Sequence, residues 1–269
     1  MDANLTLQIQ AFQSVGWVRF PRDPRVMAWV DAARPVAEAA VADPANAHWL
    51  QCEGTWFVGV DALPNDTHGA VPGGAPLEAP ALDLWRAMGH AVPPLHRAQV
   101  SVTYCGYPRP RAGESEGAWR YRLNRDAAHV DGLLPEGPDR RRKLREPHAF
   151  ILGLPLNPAH PDAAPLVVWE ASHHVVARHL RPLFDAHPPE DWPDIDLTDA
   201  YHAARKEAFA TCARVPVPAG PGECLLLHHL CLHGVAPWTA PDDPAQDARM
   251  IAYFRPEWPD GAASWITPG

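Results

Sequence analysis

The residues with the clearest chemical potential are an imidazole and a carboxylate two positions apart, His129 and Asp131. On an extended strand, residues i and i+2 point to the same face, so both side chains could reach one metal ion. Gly132 then lets the chain turn away. About a hundred residues later, His233 offers a third ligand. Two imidazoles and one carboxylate on one face of an octahedron are typical of non-haem Fe(II) sites, where three coordination positions stay open.

With 15 histidines in the chain, a histidine two residues from an aspartate can arise by chance. Such a pattern on its own more often marks the end of a strand at the surface than a metal site. His173-His174 and His228-His229 are poorer candidates, since adjacent strand residues point to opposite faces. For these pairs we expect helix caps or hydrogen-bonded core residues. His233 differs from them because it follows an apolar run and directly precedes Gly234, which places it near a strand end at a turn.

A guanidinium is the next candidate group. Arg249 opens a strand-like segment, Arg249 to Phe254, and a largely buried arginine needs an anionic partner. The carboxylate of a bound ligand is the obvious one, held in bidentate fashion. Arg255 has the same strand parity and is the second candidate. On another segment, Gln99 and Thr103 share one face, where they could hydrogen-bond the same ligand or face solvent.

The elements that would position these residues are mostly short strands. Alternation or buried apolar runs predict strands, and spacings of three and four predict helices. Trp119 to Arg125 alternates and is predicted as a strand leading into His129, and 135–147 is predicted as a loop carrying the basic run Arg140 to Arg145. Further strands are expected at 55–60, 98–104, 149–154, 166–169, 213–217, 223–228 and 249–254, and helices at 24–41, 82–88, 174–184 and 197–211.

This order predicts a mainly β fold with flanking helices, built on a double-stranded β-helix (jelly roll, cupin-like) core. We expect a single domain over residues 1–269, with a helical and β extension at 1–97 packed on the catalytic core at 98–257. The 32 prolines favour many turns and short strands over a helical bundle.

Composition narrows the class of partner. The formal charge of −9 argues against nucleic acid, which needs a cationic surface. Five cysteines without a CxxC pair predict reduced thiols rather than a disulfide framework. The chain has neither a signal-peptide pattern nor an apolar run approaching a membrane span. We therefore expect a cytoplasmic protein without a membrane partner.

The order of His129, Asp131, His233 and Arg249 resembles that of the Fe(II)/2-oxoglutarate-dependent dioxygenases, specifically the phytanoyl-CoA dioxygenase-like branch. The turn at Gly222-Glu223 and the Ser172-His173 pair also match, whereas Glu170-Ala171 stands where Pro-Gly is usual. The resemblance covers about residues 98–257.

The resemblance implies that His129, Asp131 and His233 are the catalytic iron ligands and that Arg249 binds the 2-oxoglutarate carboxylate. Gln99 and Thr103 are candidates to assist it. Fe(II), 2-oxoglutarate and O₂ would then convert a substrate with release of succinate. The carboxylate of Asp131 implies hydroxylation, since related halogenases carry a small residue there.

Two other classes of protein remain open. One is a cupin-like metalloprotein without a keto-acid cosubstrate, and the other is a non-catalytic jelly-roll binding protein. The expected partner is a small organic molecule. The run from Arg140 to Arg145 is either a solvated loop or an entrance that attracts an anionic substrate.

Overall fold

A computed structural model describes residues 3–243 and 246–266, which form twelve strands and seven α-helices. The strands are β1 Trp17–Phe20, β2 Leu50–Gln51, β3 Trp56–Gly59, β4 Gln99–Tyr104, β5 Leu133–Glu136, β6 Arg141–Leu144, β7 Phe150–Pro155, β8 Leu166–Trp169, β9 Arg214–Val217, β10 Cys224–His228, β11 His233–Val235 and β12 Ala248–Phe254. The helices are α1 Ala3–Val15, α2 Pro24–Ala42, α3 Pro80–Ala87, α4 Glu116–Asn124, α5 Ser172–Asp185, α6 Thr198–Thr211 and α7 Ala262–Trp265, with 3₁₀ turns at Pro44–Trp49 and Pro189–Asp194.

Two antiparallel sheets face each other. The large sheet has seven strands in the order β1-β10-β7-β12-β4-β3-β2, and the small sheet has three in the order β11-β8-β9. A separate hairpin joins β5 to β6. Strands β1, β2 and β3 come from the first hundred residues and extend the large sheet at both ends, while a division of the chain at residue 97 stays a prediction.

Side-chain alternation along β12 shows how the large sheet separates two cores. Ile251 and Tyr253 face the small sheet and pack in an inner core with residues such as Val168 and Leu227. The intervening positions, such as Phe254, pack in an outer core against the N-terminal helices. Because successive strand residues point to opposite faces, a residue's parity on β12 assigns it to one core or the other. The same parity places Arg249 on the inner face with Ile251 and Tyr253.

Two local predictions were wrong. Residues Trp119 to Arg125 belong mostly to helix α4 instead of a strand, because Ser115 caps the helix by accepting a hydrogen bond from the amide of Ala118 at 3.2 Å. The predicted loop at 135–147 contains the β5–β6 hairpin, in which Leu133 pairs with Leu144 and both are buried. Long charged side chains on the exposed positions of β6 hide this pairing in the sequence.

Helices cover the outer face of the large sheet and one end of the small sheet. Of the helices in the described ranges, none is long and apolar enough to cross a membrane. Helices α5 and α6 pack on each other and bury a third core around Val176, Leu180 and Tyr201. This core also contains Val130, the residue between His129 and Asp131, so it supports the ligand-bearing segment from behind.

Candidate metal centre

Backbone pairing brings the two histidines together. His129 and His233 form an isolated antiparallel bridge, in which each amide donates to the other's carbonyl, at 2.8 Å from His129 and 3.1 Å from His233. Their rings consequently lie side by side, with centroids 4.7 Å apart. Together with Asp131 they form a group whose candidate ligand atoms all lie within 4.8 Å of one another. The three residues singled out from the sequence therefore converge at the edge of the small sheet.

The orientation of both rings suits metal coordination. Nδ1 of His129 lies 3.0 Å from the carbonyl oxygen of Ala127, and Nδ1 of His233 lies 2.8 Å from that of Cys231. A backbone carbonyl can only accept, so Nδ1 carries the proton in each neutral ring and Nε2 keeps its lone pair. Both Nε2 atoms face Asp131, at 3.1 Å from His129 to Oδ1 and 3.7 Å from His233 to Oδ2. The donor atoms and their tautomers match a two-histidine, one-carboxylate site.

Asp131 is held as a carboxylate. Burial alone would raise its pKa, but the positive charge of Arg255, the largest of the opposing effects, helps to hold the pKa well below its usual range. Its side chain is only 10% exposed, and that of His233 8%, whereas that of His129 is 46% exposed. The site is thus closed on the Asp131 side and opens to solvent beside His129.

Arg255 lies against the carboxylate. Its Nη1 is 3.6 Å from Oδ2 of Asp131, and its Nη2 donates to Oε1 of Gln99 at 2.9 Å. Its Nε is buried without a hydrogen-bond partner among the described residues. From the sequence Arg255 was only the second candidate for ligand binding, and no local pattern indicated its contact with Asp131.

Arg249 and Thr103 lie on the inner face of the large sheet, further along it than Arg255 and Gln99. They are direct cross-strand partners between β12 and β4, as Tyr253 and Gln99 are, and all four share the inner face. Arg249 is only 8% exposed and forms no hydrogen bond or ion pair through its guanidinium with the part of the chain that is described. Arg249 lies near the start of β12 and Arg255 directly follows its last residue, so the six-residue separation corresponds to about 20 Å between their Cα atoms. The structure therefore brings Gln99 and Arg255 close to Asp131, and it groups Thr103 with Arg249 separately.

Unpaired hydroxyls accompany Arg249 on the inner face. Within the described residues, Oγ1 of Thr103 and the hydroxyl of Tyr253 are buried without a hydrogen-bond partner. Buried polar groups are almost always paired in native proteins, and each exception calls for a ligand, a water or a functional reason. Hydroxyls and a guanidinium all donate, so this inner face can receive an anionic or carbonyl-bearing ligand.

The turn before His129 is stabilised by an ion pair, which no sequence pattern indicated. Arg214 on β9 donates to both carboxylate oxygens of Asp126, each at 2.7 Å, and Asp126 is buried. Asp126 and Ala127 both have φ of 53°, an uncommon conformation for residues other than glycine. The bidentate contact stabilises this turn, which sets where His129 enters the bridge with His233.

Most basic side chains between Arg140 and Arg145 are paired with acidic ones, and the run contacts residues that support the metal ligands. Lys143 lies 3.3 Å from Asp194, and Arg145 pairs with Glu136. Arg142 lies over the ring of Tyr201, 5.8 Å from its centroid, and the hydroxyl of Tyr201 accepts from the amide of Val130 at 3.1 Å. These contacts support the strand between the two ligands, and attraction of an anionic substrate by the run stays a prediction.

Replacing Gly234 by alanine is expected to disrupt the site through the backbone. A Cβ at this position would lie 2.2 Å from the carbonyl oxygen of Asp126 and 3.1 Å from Cα of Ala128. The segment before His129 would have to move off β11, which we expect to cost about 1–3 kcal/mol in the free energy of unfolding. Gly117→Ala, in α4 with nothing within 4 Å of an added Cβ, is the matched control.

Urea denaturation and metal titration of both variants test this expectation. Gly117→Ala should leave the urea midpoint unchanged or slightly higher, because alanine is the better helix former. Gly234→Ala should lower the midpoint and weaken binding of a divalent metal. Equal behaviour of the two variants would show that the close approach at Gly234 does not position His129.

Glu114→Gln is expected to destabilise the protein in a pH-dependent way. Glu114 accepts from Nε and Nη2 of the buried Arg122, at 3.1 and 2.7 Å, and these hydrogen bonds lower the pKa of Glu114 from 4.5 to about 2. A carboxyl whose pKa is lower in the folded state stabilises it fully above the unfolded pKa, and this contribution disappears as the pH falls through the folded value. Near pH 7 we expect a loss of about 2 kcal/mol.

Urea midpoints at several pH values measure this effect. The difference between wild type and Glu114→Gln should shrink as the pH is lowered from 4.5 towards 2. Glu116→Gln is the control, because its partner Arg120 is exposed and such pairs contribute less than about 1 kcal/mol. A difference that is constant with pH would mean that the ion pair with Arg122 does not carry the effect.

Comparison with known proteins gives a fold but little sequence similarity. Neither a family model nor a curated protein matches the chain significantly. Among solved structures, the non-haem α-ketoglutarate-dependent carbocyclase SnoK from nogalamycin biosynthesis superposes with a TM-score of 0.51 at 16% identity, covering 100% of this chain and 92% of that one. The epimerase SnoN, in complex with Fe³⁺, α-ketoglutarate and nogalamycin RO, gives 0.52 at 16% identity, covering 98% of this chain and 89% of that one. EctD from S. alaskensis with bound Fe gives 0.50 at 18% identity, covering 100% of this chain and 84% of that one.

The chain therefore has the fold of the solved structures of SnoK, SnoN and EctD. The predicted architecture is confirmed: a large antiparallel sheet with flanking helices, facing a smaller sheet in a jelly-roll, cupin-like arrangement. At these identities the comparison establishes the fold alone, and the activity must be argued from the site.

Proposed function

We propose that the protein is an Fe(II)/2-oxoglutarate-dependent oxygenase that oxidises a small organic substrate. The observation that carries this proposal is the convergence of His129, Asp131 and His233, with both Nε2 atoms and the carboxylate directed at one point. The fold, which is that of the solved enzymes SnoK, SnoN and EctD, is independent support.

His129, Asp131 and His233 would hold the iron, and three of its coordination positions would stay open. The iron would supply the redox chemistry that couples decarboxylation of 2-oxoglutarate by O₂ to oxidation of the substrate, with succinate and CO₂ as products. The chain's contribution is to keep Asp131 deprotonated, through the charge of Arg255, and to fix both imidazole tautomers through backbone carbonyls. These residues prepare the site before any metal binds.

Arg249 would bind the far carboxylate of 2-oxoglutarate, with Thr103 and Tyr253 donating hydrogen bonds beside it. The guanidinium is buried and has no anionic partner among the described residues, and an isolated buried charge is costly without one. Gln99 is bonded to Arg255 and would act near the carboxylate of Asp131. The role of Arg255 would be to orient Asp131 and balance its charge, since its Nη1 already faces Oδ2.

The substrate would approach beside His129, the most exposed of the three ligands. Hydroxylation is the reaction we favour, because the carboxylate of Asp131 fills the position that halogenases leave for halide. A cupin-like metalloprotein without a keto acid remains the second candidate, but it leaves the buried Arg249 without a function. A non-catalytic jelly-roll protein would likewise not need the paired tautomers of His129 and His233.

Succinate release and thermal stability test the proposal together. Purified protein supplied aerobically with Fe(II), 2-oxoglutarate and ascorbate should release succinate slowly without added substrate. In scanning fluorimetry, 2-oxoglutarate should raise the melting temperature only when Fe(II) or a redox-inert divalent ion is present. Succinate production without keto-acid stabilisation, or neither signal at full metal loading, would reject this function in favour of the metalloprotein or the binding protein.

A further inference from the structure

A cavity of about 500 Å³ lies on the outer face of the large sheet, away from the metal centre. Its position follows from β10, where Leu225 and Leu227 face the inner core while Leu226 faces the outer core, so that His228 continues the outer face. Helices α1, α3 and α5, the segment after β10 and the last described residues enclose it. Its lining includes Trp85, His90, His173, Ala177, Arg181 and Trp258.

Aromatic rings form one wall of this outer cavity. The indoles of Trp85 and Trp258 lie with centroids 5.3 Å apart, and the ring of His90 lies 4.6 Å from Trp85 and 5.4 Å from Trp258. Trp258 also has an indole N–H that is buried without an acceptor within the described ranges. Aromatic rings in this arrangement favour a flat, apolar ligand that can stack on them or meet their edges.

Helix α5 forms the opposite, polar wall. His173, Ala177 and Arg181 follow one another at intervals of four residues, so they lie on one helix face, and all three line the cavity. The guanidinium of Arg181 donates through Nη2 to the carbonyl of Ile266 at 2.9 Å, and it forms no ion pair with the described part of the chain. Most of its five donors are therefore available to a ligand.

Among the residues that the structure describes, the cavity lining carries a positive charge without a balancing negative one. None of its lining residues in 3–243 and 246–266 is aspartate or glutamate. Burial lowers the pKa of His173 to about 4 and that of His228 well below its usual value, so both are neutral at pH 7. Arg181 is consequently the fixed charge of the lining, and an anionic group is the complement that it lacks.

We propose that this cavity binds a small aromatic carboxylate, with the ring against Trp85 and Trp258 and the carboxylate on Arg181. Its volume falls within the range of small-molecule sites, roughly 300–1,000 Å³, and its composition of apolar walls with a few convergent polar groups is typical of them. The site requires neither the metal nor the keto acid, so it does not rest on the proposed function.

Calorimetric titration of metal-free protein with 2-naphthoate tests the proposal, with 2-naphthamide as the uncharged analogue. For a ligand of this size we expect a dissociation constant on the order of 10–100 µM for the acid. The amide should bind about tenfold more weakly, because it cannot form the charge-assisted contact with Arg181. Arg181→Gln should remove that tenfold preference.

Four further variants locate the binding. Ala177→Trp should fill the cavity and abolish binding of both probes, and Met88→Trp, at the residue that follows α3, serves the same purpose if the first variant unfolds. Arg178→Gln is the matched control on α5, because Arg178 is exposed and pairs with Glu207, and it should bind as wild type. Arg249→Gln should also bind as wild type, which separates this cavity from the metal centre.

The proposal would be overturned by no heat of binding up to millimolar acid, by unchanged affinity in Arg181→Gln, or by unchanged affinity in a folded cavity-filling variant. Loss of binding in Arg249→Gln alone would assign the probe to the metal centre and overturn it equally. Because the protein is metal-free throughout, none of these results depends on whether the keto-acid chemistry occurs.

Discussion

Asp131→Ala is expected to abolish succinate formation, lowering 2-oxoglutarate turnover by about a thousandfold or more, which corresponds to roughly 4 kcal/mol of lost transition-state stabilisation. The variant keeps two imidazoles but loses the carboxylate that both Nε2 atoms face. It also leaves the guanidinium of Arg255 without its anionic neighbour. Iron content after loading and dialysis should fall together with activity.

Asp199→Ala is the control for this prediction, since Asp199 is an exposed acid in the first turn of α6. It should retain both iron and activity. If Asp131→Ala bound iron and released succinate like the control, the metal would have to be held elsewhere and the assignment of the triad would be wrong.

Replacing Arg249 in β12 and Arg255 just after it by glutamine, one at a time, is expected to give opposite results. Arg249→Gln should raise the KM for 2-oxoglutarate by about 100-fold, because it removes a bidentate, charge-assisted contact, while the affinity for Fe(II) stays close to wild type. Steady-state succinate assays and metal titrations measure the two quantities separately.

Arg255→Gln should instead weaken Fe(II) binding by about 10- to 100-fold, a typical effect of removing a group that supports a metal ligand. Its KM for 2-oxoglutarate, measured at saturating iron, should change little. The reversed pattern, with Arg255→Gln affecting the keto acid and Arg249→Gln the metal, would exchange the two roles. Each variant thus serves as the control for the other.

The sequence was sufficient for the ligands and most of the strands because both depend on local spacing. His129 and Asp131 are two residues apart, and the segments that became β4, β7, β10 and β12 show clear alternation or buried apolar runs. The distal His233 was predicted as a ligand from the apolar run before it and from Gly234 after it. The turn expected at Gly234 was wrong, because Gly234 lies inside β11 and is required by the close approach of the backbone at Asp126.

Contacts between distant segments could not be read from the sequence. The pairing of Arg214 with Asp126 and of Arg255 with Asp131 depends on how strands are ordered in the sheets, which no local pattern encodes. Helix α4 was predicted as a strand because seven residues of mixed polarity fit the two-residue period of a strand as well as the 3.6-residue period of a helix. Only the helix cap at Ser115 distinguishes the two structures. The β5–β6 hairpin was missed because charged residues occupy its exposed positions.

Anaerobic titration of the Fe(II)-loaded protein with 2-oxoglutarate, followed by visible absorption, tests the central claim most directly. Chelation of the keto acid to iron held by His129, Asp131 and His233 should produce a weak charge-transfer band that saturates at one equivalent. The band should be absent in His129→Ala, and in Arg249→Gln it should require a higher 2-oxoglutarate concentration. Stoichiometric iron binding by the wild type with no band at saturating 2-oxoglutarate would contradict the account.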